Sequence, residues 1–116
     1  MAPIEIETGA QPTASIIWLH GLGADGHDFE PIVPELKFPK SPALRFVFPH
    51  APYRPVSVNG GATMRAWYDI AFDETGIHQN EAHILASEQT LRALIVQERD
   101  RGIASRRIVL AGFSQG

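Results

Sequence analysis

Near the end of the chain, Gly112-Phe113-Ser114-Gln115-Gly116 sets a serine between two glycines in the spacing G-x-S-x-G. A serine hydroxyl attacks a carbonyl only when a base takes its proton and hydrogen-bond donors hold the oxyanion that forms. The spacing has a steric cause. A serine raised on a sharp strand-to-helix turn sits in a strained backbone conformation, and side chains two residues to either side would collide. Gly112 and Gly116 remove those side chains, so Ser114 is the candidate nucleophile and acyl transfer the candidate chemistry. In sites of this kind one oxyanion donor is the backbone N–H of the next residue, Gln115. The second is expected in the glycine run after an early strand, His20-Gly21-Leu22-Gly23-Ala24-Asp25-Gly26, where Gly21 and Gly23 let the Leu22 backbone approach a ligand. His20 precedes the serine, whereas such sites run Ser, then Asp or Glu, then His along the chain. It is therefore read as loop support through a ring hydrogen bond. By the same order the acid and the base are expected beyond residue 116, and the chain by itself is expected to be inactive.

The glycine run also satisfies a rival pattern. Gly21, Gly23 and Gly26 fit G-x-G-x-x-G after a strand, the dinucleotide-binding fingerprint. That fingerprint needs an acid about 20 residues on, at the end of the next strand, for the ribose hydroxyls. The corresponding stretch, Phe46 to Pro52, has none, and Asp25 and Asp28 would repel a phosphate. A nucleotide-binding half-domain is the weaker reading. His78 and His83 do not share a helical face and have no carboxylate cluster beside them, so no metal site is expected.

The elements that must position these residues alternate in a β-α-β manner. Ser15 to His20, Arg45 to Phe48 and Arg107 to Ala111 are short non-alternating apolar runs, as expected of strands covered on both faces. Ile4 to Thr8 alternates and reads as a peripheral strand with one wet face. Phe29, Ile32, Val33 and Leu36 fall on one helical face with Asp28 as the expected N-cap, although Pro31 and Pro34 keep that helix short or irregular. A longer helix is expected from an Asn80 cap, through Ile84, Leu91, Leu94 and Ile95, to a stop at Gly102. Residues 51–77, rich in Pro and Gly, read as a long excursion of the kind that carries function. No repeat or linker divides the chain, so residues 1–116 read as a single, incomplete domain.

Composition excludes several classes. A formal net charge of −3 and a pI near 5.9 give no reason to expect nucleic acid or an anionic membrane as partner. The chain has no cysteine, hence no disulfide framework and no thiol nucleophile. The first residues lack the apolar core of a secretory signal, and a cytoplasmic location is the expectation.

Taken together, Ile17 to Gly26, Phe48-Pro49-His50-Ala51-Pro52, Asn59-Gly60-Gly61 leading to Trp67-Tyr68-Asp69-Ile70, and Gly112 to Gly116 resemble the small bacterial carboxylesterase and acyl-protein thioesterase/lysophospholipase family. The resemblance runs from Ser15 onward and implies the N-terminal half of an α/β-hydrolase fold, a mostly parallel sheet flanked by helices and ending at the nucleophile elbow. It implies a serine esterase without cofactor that hydrolyses short to medium acyl esters or thioesters, including lysophospholipids or acylated proteins, through an acyl-enzyme. Ser114 matches the nucleophile, and Leu22 and Gln115 match the oxyanion donors. Leu22, Trp67, Tyr68 and Phe113 are assigned to the substrate pocket, and His20, Gly21, Gly23, Gly112 and Gly116 to loop support. No residue matches the triad Asp or His. Asp69 precedes the serine and is read as a structural hydrogen-bonding group. A homodimer of the complete protein is a further expectation, and a non-catalytic, partner-binding fragment is the alternative from another class.

Overall fold

The computed structural model describes residues 2–39 and 42–116. Along the chain they form β1 (Ile4–Glu7), β2 (Ala14–Leu19), α1 (Ile32–Glu35), β3 (Leu44–Phe48), β4 (Tyr53–Val56), β5 (Ala62–Arg65), β6 (Ile70–Asp73), β7 (Gly76–Gln79), α2 (Glu81–Asp100) and β8 (Ile108–Gly112). The main sheet has the order β1-β3-β2-β8. β2 runs parallel to both β3 and β8, while β1 is antiparallel on the outer edge of β3, in keeping with its alternating pattern.

Side chains leave a strand alternately to its two faces, and β2 feeds two cores in this way. On one face Ile17, Val47 and Leu94 form a buried cluster with Leu19, Leu91, Ile95 and Ile108, which seats α2 on the sheet. On the other, Val33, Phe46 and Phe48 pack with Ile16, Trp18 and Phe29, and the Trp18 and Phe29 rings stack at 4.8 Å. β8 departs from the expected double cover. It is an edge strand among the described residues, and Val109 and Leu110 are half-exposed there.

α2 follows its sequence signals. The Asn80 side chain accepts the His83 N–H at 3.0 Å, and Gly102 takes a φ of +97° just past the last turn. The expectation for α1 needs correction. It is only four residues long, starts from Pro31, and has no side-chain cap; Asp28 instead turns its N–H to the Asp25 carbonyl at 3.1 Å, and Leu36 is exposed. Pro31 and Pro34 cannot supply the N–H groups that a longer helix needs. The 51–77 excursion is likewise no open loop, because it folds into the hairpins β4-β5 and β6-β7. Its strands are four residues each, and Pro55 is tolerated because both strands of a two-stranded ribbon are edges.

A buried charge network, which the sequence patterns did not reveal, ties α2 to the sheet away from the glycine loops. Glu98 accepts from the Ser15 hydroxyl at 2.6 Å and from Arg45 Nε at 2.8 Å, and Arg45 also reaches Glu5 at 2.7 Å and Glu7 at 3.0 Å. Arg45 and Glu98 are almost completely buried. Removing one partner of such a pair leaves a charge and its donors without compensation. Glu98→Ala is expected to destabilise the fold by about 3–5 kcal/mol, read as a lower urea midpoint, and Glu98→Gln, which keeps an acceptor, by less. Among the described residues no helix is long and apolar enough to cross a membrane.

Candidate active site

Parallel pairing of β2 and β8 sets Leu19 opposite Gly112, so both strands end at one level and release their glycine loops side by side. Such crevices at the carboxyl ends of parallel strands are where open α/β sheets bind ligands. The turn after β8 closes through the Gly116 N–H donated to the Phe113 carbonyl at 3.0 Å, and Phe113 N–H extends the ladder to the Leu19 carbonyl at 3.2 Å. Ser114 stands on this turn, exposed, with a left-handed φ of +57°. A non-glycine residue held there costs about 1–3 kcal/mol and persists only where its surroundings over-determine it. The glycines supply that determination. A methyl on Gly112 would lie 2.5 Å from the Gly116 backbone, and one on Gly116 would lie 2.3 Å from the Leu19 carbonyl oxygen.

The loop after β2 meets the elbow directly. A methyl on Gly21 would come within 3.4 Å of Ser114 Cβ and of the Phe113 carbonyl oxygen. Gly23, at φ +78°, donates its N–H to the Arg65 carbonyl at 2.9 Å, which anchors the loop to β5. The N–H groups of Leu22 and Gln115 are uncommitted among the described residues.

His20 is the loop's inner anchor. Its Nε2 accepts the Ala51 N–H at 2.9 Å, so the proton is on Nδ1, which donates to the Gly21 carbonyl at 2.7 Å. Burial pushes the His20 pKa below the ordinary imidazole value of 6.5, against the opposing pull of the Gly21 carbonyl. Burial also lowers that of His50, aided by the Arg65 charge. A histidine that must stay neutral when folded contributes its full stability above the unfolded pKa and loses it as pH falls toward the depressed folded value. Thermal stability is therefore expected to decline as pH drops below about 6.5, and His20→Gln should flatten part of that decline while lowering the melting temperature at pH 8. A melting temperature independent of pH between 7 and 5 would contradict this.

Gly26 decides the nucleotide alternative. Its N–H donates to His50 Nδ1 at 3.0 Å, and a methyl on it would strike the Phe48 carbonyl oxygen at 2.4 Å. This glycine packs against the end of β3 and does not open a helix onto a phosphate, so the fingerprint's mechanism is missing.

Beside the elbow lies an apolar cavity of about 190 Å³ lined by Leu19, Trp67, Tyr68, Ile84, Leu91 and Gln115, among others. Trp67 is buried, and its indole N–H donates to the His20 carbonyl at 2.8 Å. Of the residues assigned to a pocket, Trp67 and Tyr68 reach this cavity. Phe113 and Leu22 stand outside it: the exposed Phe113 ring packs edge-on against Phe29 at 5.7 Å, and half-buried Leu22 belongs to the glycine loop.

A family model described as phospholipase/carboxylesterase matches residues 2–116. The chain belongs to the phospholipase/carboxylesterase family. Acyl-protein thioesterase 1 of Gibberella zeae is 40% identical over 122 residues, covering 100% of this chain and 52% of that protein. The protein of the same name from Yarrowia lipolytica is 40% identical over 115 residues, covering 97% and 51%. Among solved structures, Arabidopsis thaliana SOBER1 superposes with a TM-score of 0.77 at 34% identity over 88% of this chain and 50% of that one. Zea mays acyl-protein thioesterase 2 gives 0.75 at 28% identity over 97% and 46%. The chain thus spans about half the length of the relatives it matches, and its fold is the N-terminal part of an α/β-hydrolase.

Within this phospholipase/carboxylesterase half, each of the five histidines has a role away from Ser114. His20 and His50 hold loops, His27 faces Glu30 at 3.5 Å, His78 bonds Asp73 at 3.0 Å, and His83 accepts the Asp69 N–H at 2.9 Å. Asp69 clasps the β4-β5 hairpin: its carboxylate accepts the Ser57 hydroxyl at 2.6 Å and the Ser57 N–H at 2.7 Å. Those two bonds hold its pKa below the usual carboxylate range. Sequence reasoning missed the Gln115 side chain, which bonds the backbone of Trp67 and Tyr68; its place directly after the serine was the one available signal.

Proposed function

We propose that this chain carries the nucleophile and oxyanion hole of a serine esterase that hydrolyses short to medium acyl esters or thioesters. The observation that carries the reading is Ser114 at φ +57° on a glycine-flanked turn, beside the glycine loop after β2, where a methyl on Gly21 would lie 3.4 Å from Ser114 Cβ. Ser114 Oγ attacks the acyl carbonyl, and the Leu22 and Gln115 N–H groups stabilise the oxyanion of the tetrahedral intermediate. The alcohol or thiol leaves, and water hydrolyses the acyl-enzyme. A histidine and an acid from outside these 116 residues supply proton transfer, consistent with relatives about twice as long and with histidines here that are engaged elsewhere. Trp67 and Tyr68 form an apolar wall for the acyl group. Its likeness to the two acyl-protein thioesterases 1 favours acylated protein as the thioester substrate.

Turnover of p-nitrophenyl esters and acyl thioesters of graded length by the full-length protein tests this reading. Hydrolysis that peaks at short to medium chains supports it. Absence of hydrolysis on every ester and thioester would refute it. The 116-residue chain alone is expected to show only the residual catalysis of an oxyanion hole without its base.

A further inference from the structure

The Gln115 side chain lies at the junction of every element of the site. Its Oε1 accepts the Trp67 N–H at 2.8 Å, and its Nε2 donates to the Tyr68 carbonyl at 2.7 Å. Trp67 is held again through its indole N–H on the His20 carbonyl at 2.8 Å, with the His20 and Trp67 rings 5.0 Å apart. The Ser87 hydroxyl of α2 bonds the Trp67 carbonyl. The His20 carbonyl is also the group that a methyl on Gly116 would approach to 2.6 Å. Contacts therefore close a ring, from Gln115 to the Trp67 backbone, through the indole to the His20 carbonyl, and back to the elbow. Gln115 N–H lies on one side of this ring, and Leu22 follows His20 by two residues on the other.

We propose that the Gln115 carboxamide is a positioning residue which, by bracketing Trp67 and Tyr68, sets the spacing of the Leu22 and Gln115 N–H donors and fixes the Trp67 wall of the apolar cavity. This rests on the esterase reading above. Both ends of the amide are needed. A donor and an acceptor are used at once, so a carboxylate would turn an oxygen toward the Tyr68 carbonyl, an ammonium would offer nothing to the Trp67 N–H, and asparagine is one methylene short. An oxyanion hole acts through preorganisation, and displacement of its donors lowers the rate of the chemical step more than substrate binding.

The test uses the full-length protein with p-nitrophenyl acetate and a fluorophosphonate probe. Gln115→Met is expected to lower kcat by about 10- to 100-fold and leave KM within about threefold. Hydrogen exchange at the Trp67 amide should accelerate at least tenfold, reporting the lost bond independently of catalysis. Gln115→Glu is expected to be equally impaired at pH 8 and to recover relative to wild type toward pH 5.5, where a protonated carboxyl can again donate to the Tyr68 carbonyl. A purely stabilising side chain would lower the melting temperature without this pH-dependent recovery. A kcat within twofold of wild type in Gln115→Met, or an unchanged Trp67 exchange rate, overturns the proposal. Should the Gln115 variants not fold, Trp67→Phe keeps a smaller aromatic ring and deletes the indole N–H. The same kcat loss there supports the ring of contacts, and an unchanged kcat overturns it. Wild-type protein that takes no fluorophosphonate label would instead defeat the esterase reading, an outcome distinct from labelled wild type with fully active variants.

Discussion

Ser114→Ala in the full-length protein is expected to lower kcat for ester hydrolysis by on the order of 10⁶-fold, while KM and the melting temperature change little. The size follows from the chemistry: without the hydroxyl no acyl-enzyme forms, and water must attack with only the oxyanion donors to help. The chain has no cysteine to substitute as nucleophile. Ser15, Ser57 and Ser87 donate their hydroxyls to Glu98, Asp69 and the Trp67 carbonyl, so each is already engaged. Ser114 is exposed, which is why its loss should leave the fold intact. Steady-state kinetics with p-nitrophenyl acetate, paired with a thermal melt, checks both halves. A loss of less than about 100-fold, far short of removing a nucleophile, would mean that another group does the work.

Gly116→Ala is expected to have a large structural effect, centred on the elbow. The added methyl would sit 2.3 Å from the Leu19 carbonyl oxygen and 2.6 Å from that of His20. Both are backbone atoms. Leu19 accepts the Phe113 N–H and His20 accepts the Trp67 indole, so relief means pulling the elbow from β2 or breaking one of these bonds. Overpacking against backbone that cannot yield costs about 3 kcal/mol, the upper end of the usual range, a fall of roughly 6–12 °C in melting temperature for a protein of about 150–250 residues. Gly60 is the contrasting site, since an added methyl there meets no atom within 4 Å and only its φ of +67° resists substitution. Equal melting temperatures for the Gly116→Ala and Gly60→Ala variants would contradict the packing argument.

The features most legible in the sequence were those imposed by backbone sterics. Gly112, Gly116 and the apolar run before them announced the elbow, and the positive φ of Ser114 is the strain that their spacing implied. Asn80 and Gly102 marked the ends of α2 because capping is a local interaction. Chain order set His20 aside as a base, and in the structure both of its ring nitrogens are engaged in holding the loop. Contacts between residues distant in sequence were not legible. The Gln115 amide meets Trp67 across 48 positions and Glu98 meets Ser15 across 83, and no local pattern encodes such pairings. The hairpins between residues 53 and 79 were hidden by their brevity, since strands of four residues, one of them holding Pro55, have too few positions to show an alternation. Phe113 illustrates a different point. An aromatic beside the nucleophile reads as a pocket residue, yet its ring packs on Phe29, because the tight turn projects it toward the Trp18 side of the sheet.

The central claim is that Ser114 is a nucleophile held ready by its elbow. The most direct measurement is peptide mapping by mass spectrometry after the full-length protein has reacted with a fluorophosphonate. The account predicts one covalent adduct, on the peptide that contains Ser114, and none on the Ser114→Ala variant. An adduct on another residue, or active hydrolysis with Ser114 unmodified, would contradict it.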